Sequence, residues 1–334
     1  MSILFISPSP KEPSGGVKVI YQFCETLLKQ GYQSEIVHTD NLMGYCDWLS
    51  YDVIFRRNLF VDSRVDFVVI PEGAAGFIGK TCIELGIKFC ILVQNGYQTF
   101  NVHEQSTRVE LDEVYHKASY ILSISEDTTS SIIFNNKNID INKILRVYPR
   151  INSNIFYREG CNTKKIVFMP RRLGTHCRIL SYFLENHIPS HWVINSIHEK
   201  SEVEVGELLR NSSIFLSFSD LEGFGLPPLE AAISGNIIVG YSGSGGDEYF
   251  HGPIFRKVEY GNFIYFTKKI IEAINDIENG FLNTRKYLDE LFNLNLKYSD
   301  EIYTHALVDF ANKVNHMLVN NLTNHINLSE LPPI

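Results

Sequence analysis

Apolar positions in the first third of the chain come in short runs separated by breaks and amphipathic stretches. Residues 2–6 form one such run, long enough for a strand. Residues 7–15 hold three prolines and a glycine and read as a loop. From Gly16 onward, Val17, Ile20, Cys24, Leu27 and Leu28 fall on one helical face, and Gly31 suits the helix end. Further apolar runs lie at 34–37, 53–55, 67–70, 88–93 and 120–123, with helical periodicity at 74–85 and 109–118. Apolar strands alternating with helices predict a parallel sheet covered on both faces.

The pattern restarts after a hinge-like stretch at 148–149 and 152–164. Strands are expected at 165–169, 192–195, 214–217 and 237–240, and helices at 179–186, 203–210 and 227–234. The last ~70 residues are mostly helical by period, as in Ile302, Ala306, Phe310, Val314 and Leu318. The expected fold class is α/β: two Rossmann-like parallel-sheet domains in tandem, 1–150 and 151–334, the second carrying the C-terminal helices. In open sheets of this kind, ligands bind beyond the carboxyl ends of the strands. With two such domains, the gap between them is the expected ligand site.

Composition narrows the function classes. The chain has 334 residues, enough for two cores of roughly 150 residues each. Its 30 Lys and Arg against 38 Asp and Glu give a net charge of −8, which argues against a nucleic-acid-binding protein. Six scattered cysteines, with no C-x-x-C pair, fit a reduced, cytoplasmic protein. The apolar start is too short for a signal peptide, and no run approaches the 18 apolar residues of a membrane span. No Asp-x-Asp occurs, and no His or Cys falls in ligand spacing, so no metal site is expected. His187 and His191 are four apart, but Pro189 lies between them and breaks a helix.

The densest chemical signal is Glu222-Gly223-Phe224-Gly225-Leu226-Pro227-Pro228-Leu229-Glu230, which follows an apolar strand and opens a helix. Prolines suit a first helical turn. Glycines let the backbone approach a ligand, and the helix N-terminus favours an anion such as a pyrophosphate. Each carboxylate can accept two hydrogen bonds from vicinal sugar hydroxyls. The bland alternative is a strand–turn–helix with two solvated glutamates; the strand before and the Ala231-Ala232 pair after weigh against it.

Five other segments stand at predicted strand ends. Gly15-Gly16 opens the first helix, where it is either an anion-binding loop or a common turn. It is not a G-x-G-x-x-G fingerprint, which argues against a dinucleotide oxidoreductase. Arg171-Arg172 follows the first strand of the second domain and is either a phosphate clamp or a solvated pair. Gln94-Asn95 follows a first-domain strand; neither can act as a base, and the closest histidine, His103, fits a surface loop better than a base. Ser125 fits a helix N-cap. A glycine loop at 240–248 is either a ligand-lining segment or a plain turn.

The Glu222–Glu230 pattern closely resembles the E-x7-E signature of retaining GT-B glycosyltransferases of the family 4-like, "glycosyl transferases group 1" type. The resemblance follows nearly the whole chain in order of elements, though its motifs are specific in few places. It implies a nucleotide-diphosphate sugar as co-substrate, with no other cofactor, and a carbohydrate or glycoconjugate acceptor. It also implies peripheral contact with the cytoplasmic membrane face, although no dense Lys/Arg cluster supports that. By that resemblance Glu222 and Arg171 are catalytic, and Glu230 holds the donor ribose. Arg172, Gly15, Gly16, Gly223, Phe224, Gly225 and Leu226 complete the donor site. Gln94, Asn95, His103 and Ser125 are acceptor or cleft candidates. The chain departs from the pattern in two places. The family's lysine after Arg171 is missing, with His176 and Arg178 as nearby substitutes, and Gln94-Asn95 stands where many members have a histidine. A GT-B-fold epimerase, a phosphorylase and a catalytically inactive binding protein remain as alternatives.

Overall fold

The computed structural model describes residues 2–8, 14–38, 46, 48–56, 60–99, 107–160, 163–170, 173–318 and 325–327. The chain divides into two compact units, one formed by Met1–Arg150 with Glu301–Ile334, the other by Ile151–Asp300.

The first unit opens with β1 (Ser2–Ser7), α1 (Gly15–Lys29) and β2 (Gln33–His38). There follow β3 (Phe60–Asp62), β4 (Asp66–Pro71), α2 (Ala75–Glu84), β5 (Phe89–Val93), α3 (Arg108–Lys117), β6 (Tyr120–Ser123), α4 (Glu126–Asn135) and β7 (Ile144–Arg146). Six of these strands form a sheet in the order β2-β1-β4-β5-β6-β7, every neighbour parallel. All residues of β1, β4 and β5 are buried, as expected of a sheet covered on both faces. The run at 53–55, expected as a strand, makes only a single bridge from Phe55 to Ile36. The run is short, and the next residue, Arg56, is held by ion pairs to Glu35 and Asp66 at 2.8 and 2.6 Å.

The second unit contains β8 (Lys165–Phe168), α5 (Gly174–Leu184), β9 (Val193–Ser196), α6 (Glu202–Arg210), β10 (Ile214–Glu222), α7 (Leu226–Ile233), β11 (Ile237–Ser244), β12 (Phe255–Lys257), α8 (Phe263–Glu278) and α9 (Arg285–Lys297). Its sheet runs β12-β11-β10-β8-β9, again all parallel. β10 and β11 extend five and four residues beyond the apolar runs that predict them, because their polar ends still pair in the sheet.

The chain then returns to the first unit through α10 (Asp300–Leu318), and β13 (His325–Asn327) pairs antiparallel with β3. The sequence placed these C-terminal helices with the second domain; α10 belongs to the first. Its apolar stripe supplies the reason. Tyr303 sets its ring 5.9 Å from Phe23 of α1, and Phe310 sets its ring 6.0 Å from Phe67 of β4. The Tyr32 hydroxyl adds a hydrogen bond to Asn312 at 2.8 Å.

Both sheets contain one point at which the strand order reverses. In the first sheet it lies between β1 and β4, in the second between β8 and β10. In open α/β sheets, ligands bind at the carboxyl edge beside such a point.

Candidate functional site

In the second unit the reversal point is flanked by the loop after β8 and the turn after β10. Glu222 is the last residue of β10, opposite Ser244 of β11, and the register shifts between Ser219 and Glu222. Gly225 caps α7 with φ 80° and ψ 70°. Only glycine fits there, since an added Cβ would also stand 2.9 Å from the Tyr249 hydroxyl. Phe224 is buried and anchors the turn, its ring 5.4 Å from that of Tyr249 and 5.6 Å from that of Tyr298. Glu230 lies one turn into α7 and is buried.

The backbone here is unusually strained. Leu173, Glu199, Leu221 and Ser244 all have φ between 43° and 65°, a region that side chains other than glycine rarely adopt. They follow or end β8, β9, β10 and β11 in turn, so the strain gathers at the carboxyl edge of one sheet. Strained positions concentrate where the chain is shaped for a ligand.

Two residues that the motif did not single out hold this turn. Tyr249 is fully enclosed, and its hydroxyl donates to the Phe224 carbonyl at 3.0 Å and to the Gly225 carbonyl. Burial pushes its phenol well above the usual range, reinforced by Tyr298 and by the carboxylates of Glu248, Glu222 and Glu230. The second is Gly245, whose added Cβ would collide with the Gly223 carbonyl. The glycine loop at 240–248 therefore packs directly on the Glu222–Gly225 turn. Gly243 lies against the same glutamate, since its added Cβ would be 3.2 Å from the Glu222 Cβ and Cγ.

Arg171, Arg172 and His103 lie outside the described residues. Of the substitutes for the missing lysine, His176 sits in an aromatic cluster. Its Nδ1 is 3.1 Å from the Tyr241 hydroxyl, and its ring is 4.8 Å from that of Tyr260 and 5.1 Å from that of Phe263. Arg178 is exposed, 3.4 Å from Thr175.

In the first unit the reversal point lies between β1 and β4, and β5 pairs with β4. Gly15 and Gly16 open α1, whose N-cap, Ser14, makes no side-chain cap bond. The Gln94 side chain donates to the Gly16 carbonyl at 3.1 Å, so two candidates 78 positions apart meet. Asn95 accepts from the Tyr97 amide at 3.0 Å. Ser125 caps α4: its hydroxyl accepts from the Thr128 amide at 2.9 Å and donates to the Thr128 hydroxyl at 2.7 Å, and it is fully buried. These bonds account for a serine at that position.

The residue that the pattern missed in this unit is Glu72, directly after β4. It is buried, and it accepts the Asn95 amide at 2.9 Å. Burial pushes its carboxyl up to about 7, although the backbone N–H groups of Glu72, Gln94 and Asn95 pull the other way. The only sequence signal is a glutamate immediately following the largely apolar strand β4, between Pro71 and Gly73.

No protein-family model matches the chain. Over 126 residues it is 29% identical to an α-1,6-glucosyltransferase of Actinobacillus pleuropneumoniae serotype 7 (strain AP76), a stretch covering 36% of this chain. The chain spans 38% of the length of that curated relative. Among solved structures it resembles a sucrose-phosphate synthase from Thermosynechococcus elongatus, with a TM-score of 0.68 and 10% identity over 95% of this chain and 99% of that one. It also resembles Anabaena HepE in complex with UDP-glucose, with a TM-score of 0.68 and 11% identity over 94% and 100%. The chain has the GT-B fold: two Rossmann-like parallel-sheet units and a C-terminal helical region. Among the described residues no helix is long and apolar enough to cross a membrane.

Proposed function

We propose that the chain is a retaining glycosyltransferase. It moves a sugar from a nucleotide-diphosphate sugar to a hydroxyl acceptor without a divalent metal, in polysaccharide, lipopolysaccharide or other glycoconjugate assembly. The observation that carries this reading is the turn after β10: two carboxylates bracket a glycine-capped helix start at the sheet's reversal point. The similarity to a glucosyltransferase and the likeness to a protein bound to UDP-glucose make UDP-glucose the first donor to test.

In this reading the second unit binds the donor. Glu230 accepts hydrogen bonds from the ribose hydroxyls. The α7 N-terminus, Arg171 and Arg172 take the pyrophosphate, whose negative charge grows as it leaves. Backbone groups of Phe224, Gly225 and Leu226 border the sugar. The acceptor oxygen bonds to the anomeric carbon on the face from which the phosphate departs, and the bond from that carbon to the phosphate oxygen breaks. The hydroxyl proton passes to the leaving phosphate oxygen, so the step balances without a protein base. Glu222 stabilises the positive charge that develops on the sugar ring. Gly15, Gly16, Gln94 and Asn95 of the first unit serve the donor phosphates and the acceptor. Buried thiols outside any disulfide at 24, 46, 82, 90 and 177 support a reducing, cytoplasmic setting.

The test pairs binding with turnover. UDP-glucose should raise the melting temperature of the wild type, and Glu230→Ala should remove most of that shift. Glu222→Gln should lower kcat by about 10²–10³-fold with little change in donor KM. Unchanged donor binding in Glu230→Ala and unchanged kcat in Glu222→Gln would together refute the donor site. A product of inverted anomeric configuration would refute retention, and loss of transfer on adding EDTA would refute metal independence. Conversion of the nucleotide sugar to its epimer in the absence of acceptor would assign the chain to the epimerases instead.

A further inference from the structure

We propose that Glu72 is the positioning residue of the acceptor turn: its buried carboxylate holds the Gln94–Asn95 backbone, and taking up a proton releases that hold. The inference rests on the reading that this turn serves the acceptor.

The geometry places Glu72 at the centre of a small network. One carboxylate oxygen accepts the Asn95 N–H at 2.9 Å, and the N–H groups of Gln94 and of Glu72 itself also point to the carboxylate. The segment so held reaches outward in two directions. Gln94 donates to the Gly16 carbonyl at the start of α1. Asn95 fixes Tyr97, whose hydroxyl donates to Asp127 of α4 at 2.9 Å. The position of Gln94 and Asn95 relative to α1 and α4 therefore runs through one buried acid.

The titratable group facing Glu72 from the neighbouring elements is the Tyr115 phenol of α3. It is buried, has no hydrogen-bond partner among the described residues, and is pushed up by burial and by the Glu72 charge. Tyr115 belongs to a core cluster that is otherwise apolar around it, with Ala74, Ala75, Ile78 and Val114. Among the described residues, the groups that favour the ionised form are the backbone N–H groups of Glu72, Gln94 and Asn95. Burial lifts the carboxyl to about 7, and both protonation states are then populated near neutrality. The ionised form makes charge-assisted bonds to the turn. The protonated form makes weaker ones and carries an O–H that itself needs a partner.

The experiment follows the Gln94 and Asn95 backbone amides of the full chain by 15N NMR from pH 5.5 to 8.5. It also measures acceptor KM and donor Kd at each pH. Both amides should shift with a midpoint near 7 in the wild type, and the shift should vanish in Glu72→Gln. Acceptor KM should rise several-fold from pH 8 to pH 6 while donor Kd stays level, and Glu72→Gln should abolish that dependence. A rise in acceptor KM that persists unchanged in Glu72→Gln would overturn the proposal. So would amides that do not titrate in the wild type, a measurement that stands even if the variant fails to fold. Titrating amides with no transfer to any acceptor would refute the proposed function and with it the acceptor half of this inference. Transfer with a pH-independent acceptor KM would refute the inference alone.

Discussion

The two reversal points carry opposite kinds of construction. In the second unit the site is made of backbone. Gly225 and Ser244 are in the left-handed region, Gly245 packs its Cα onto the Gly223 carbonyl, and Tyr249 holds the turn by two main-chain carbonyls. In the first unit it is made of side chains: Glu72 holds the turn after β5, and Gln94 reaches the Gly16 carbonyl. A backbone-built site fixes the shape offered to a ligand and tolerates almost no added volume. A site held by side chains can adjust, and its rigidity depends on a charge.

The contrast is tested hardest at Gly245. A methyl group there meets backbone, which cannot move aside as a side-chain tip can. Gly245→Ala should destabilise the second unit by about 3 kcal/mol, the upper range for overpacking. It should also erase the UDP-glucose-induced melting shift. Urea unfolding checks the first effect and calorimetry the second. A variant that keeps both wild-type stability and the shift would show that this turn yields, and the contrast between the units would be lost.

The same contrast explains which parts could be read from the chain. Glycine, proline and paired glutamates around Gly225 are residue types that backbone geometry demands, so the turn after β10 is visible as letters. The central strands are legible too, because both faces are buried and their apolar runs are unbroken. Three-residue strands such as β7 and β12 carry no such run. The allegiance of α10 was hidden because an apolar stripe shows that a helix packs, not against which sheet. Glu72 was hidden for a deeper reason. Its altered acidity comes from burial beneath a turn 23 residues away, and nothing in the Pro71-Glu72-Gly73 sequence records that. In the chain Gln94 reads as an acceptor candidate and a departure from the pattern; its contact with Gly16 belongs to the fold.

A smaller effect is expected from the charge that holds the first site. The folded carboxyl of Glu72 binds its proton more tightly than an unfolded one does, since burial lifts it to about 7. Between the unfolded value and about 7 the native state therefore carries more protons, and stability falls as pH rises. The contribution is fully present below the unfolded value and is gone once the pH has passed about 7. Between pH 5 and pH 8 the change is on the order of 2–3 kcal/mol. Glu72→Gln has no such proton, so its stability should gain on that of the wild type between pH 5 and pH 8. Chemical denaturation at each pH checks this, and parallel curves for the two proteins would mean that Glu72 ionises as freely as a surface acid. The same substitution should weaken acceptor binding, so one buried acid would trade stability for position.

The smallest effects sharpen the comparison most, because they use the same chemical change as Gly245→Ala in the other unit. An added Cβ at Gly15 meets nothing within 4 Å, and Gly15 already lies in α1. Gly15→Ala should then raise stability by about 0.5 kcal/mol through helix propensity. At Gly16 the added Cβ would be 3.2 Å from the Gln94 Oε1, the far end of a flexible side chain. Gly16→Ala should therefore leave stability within about 0.5 kcal/mol of the wild type, because Gln94 can shift aside. Its mark should fall on acceptor KM, since the bond from Gln94 to the Gly16 carbonyl then lengthens. Thermal melts and acceptor titrations on the two variants decide the matter. If Gly16→Ala destabilised the protein as much as Gly245→Ala, the first site would be as rigid in its backbone as the second, and Glu72 would have nothing left to position.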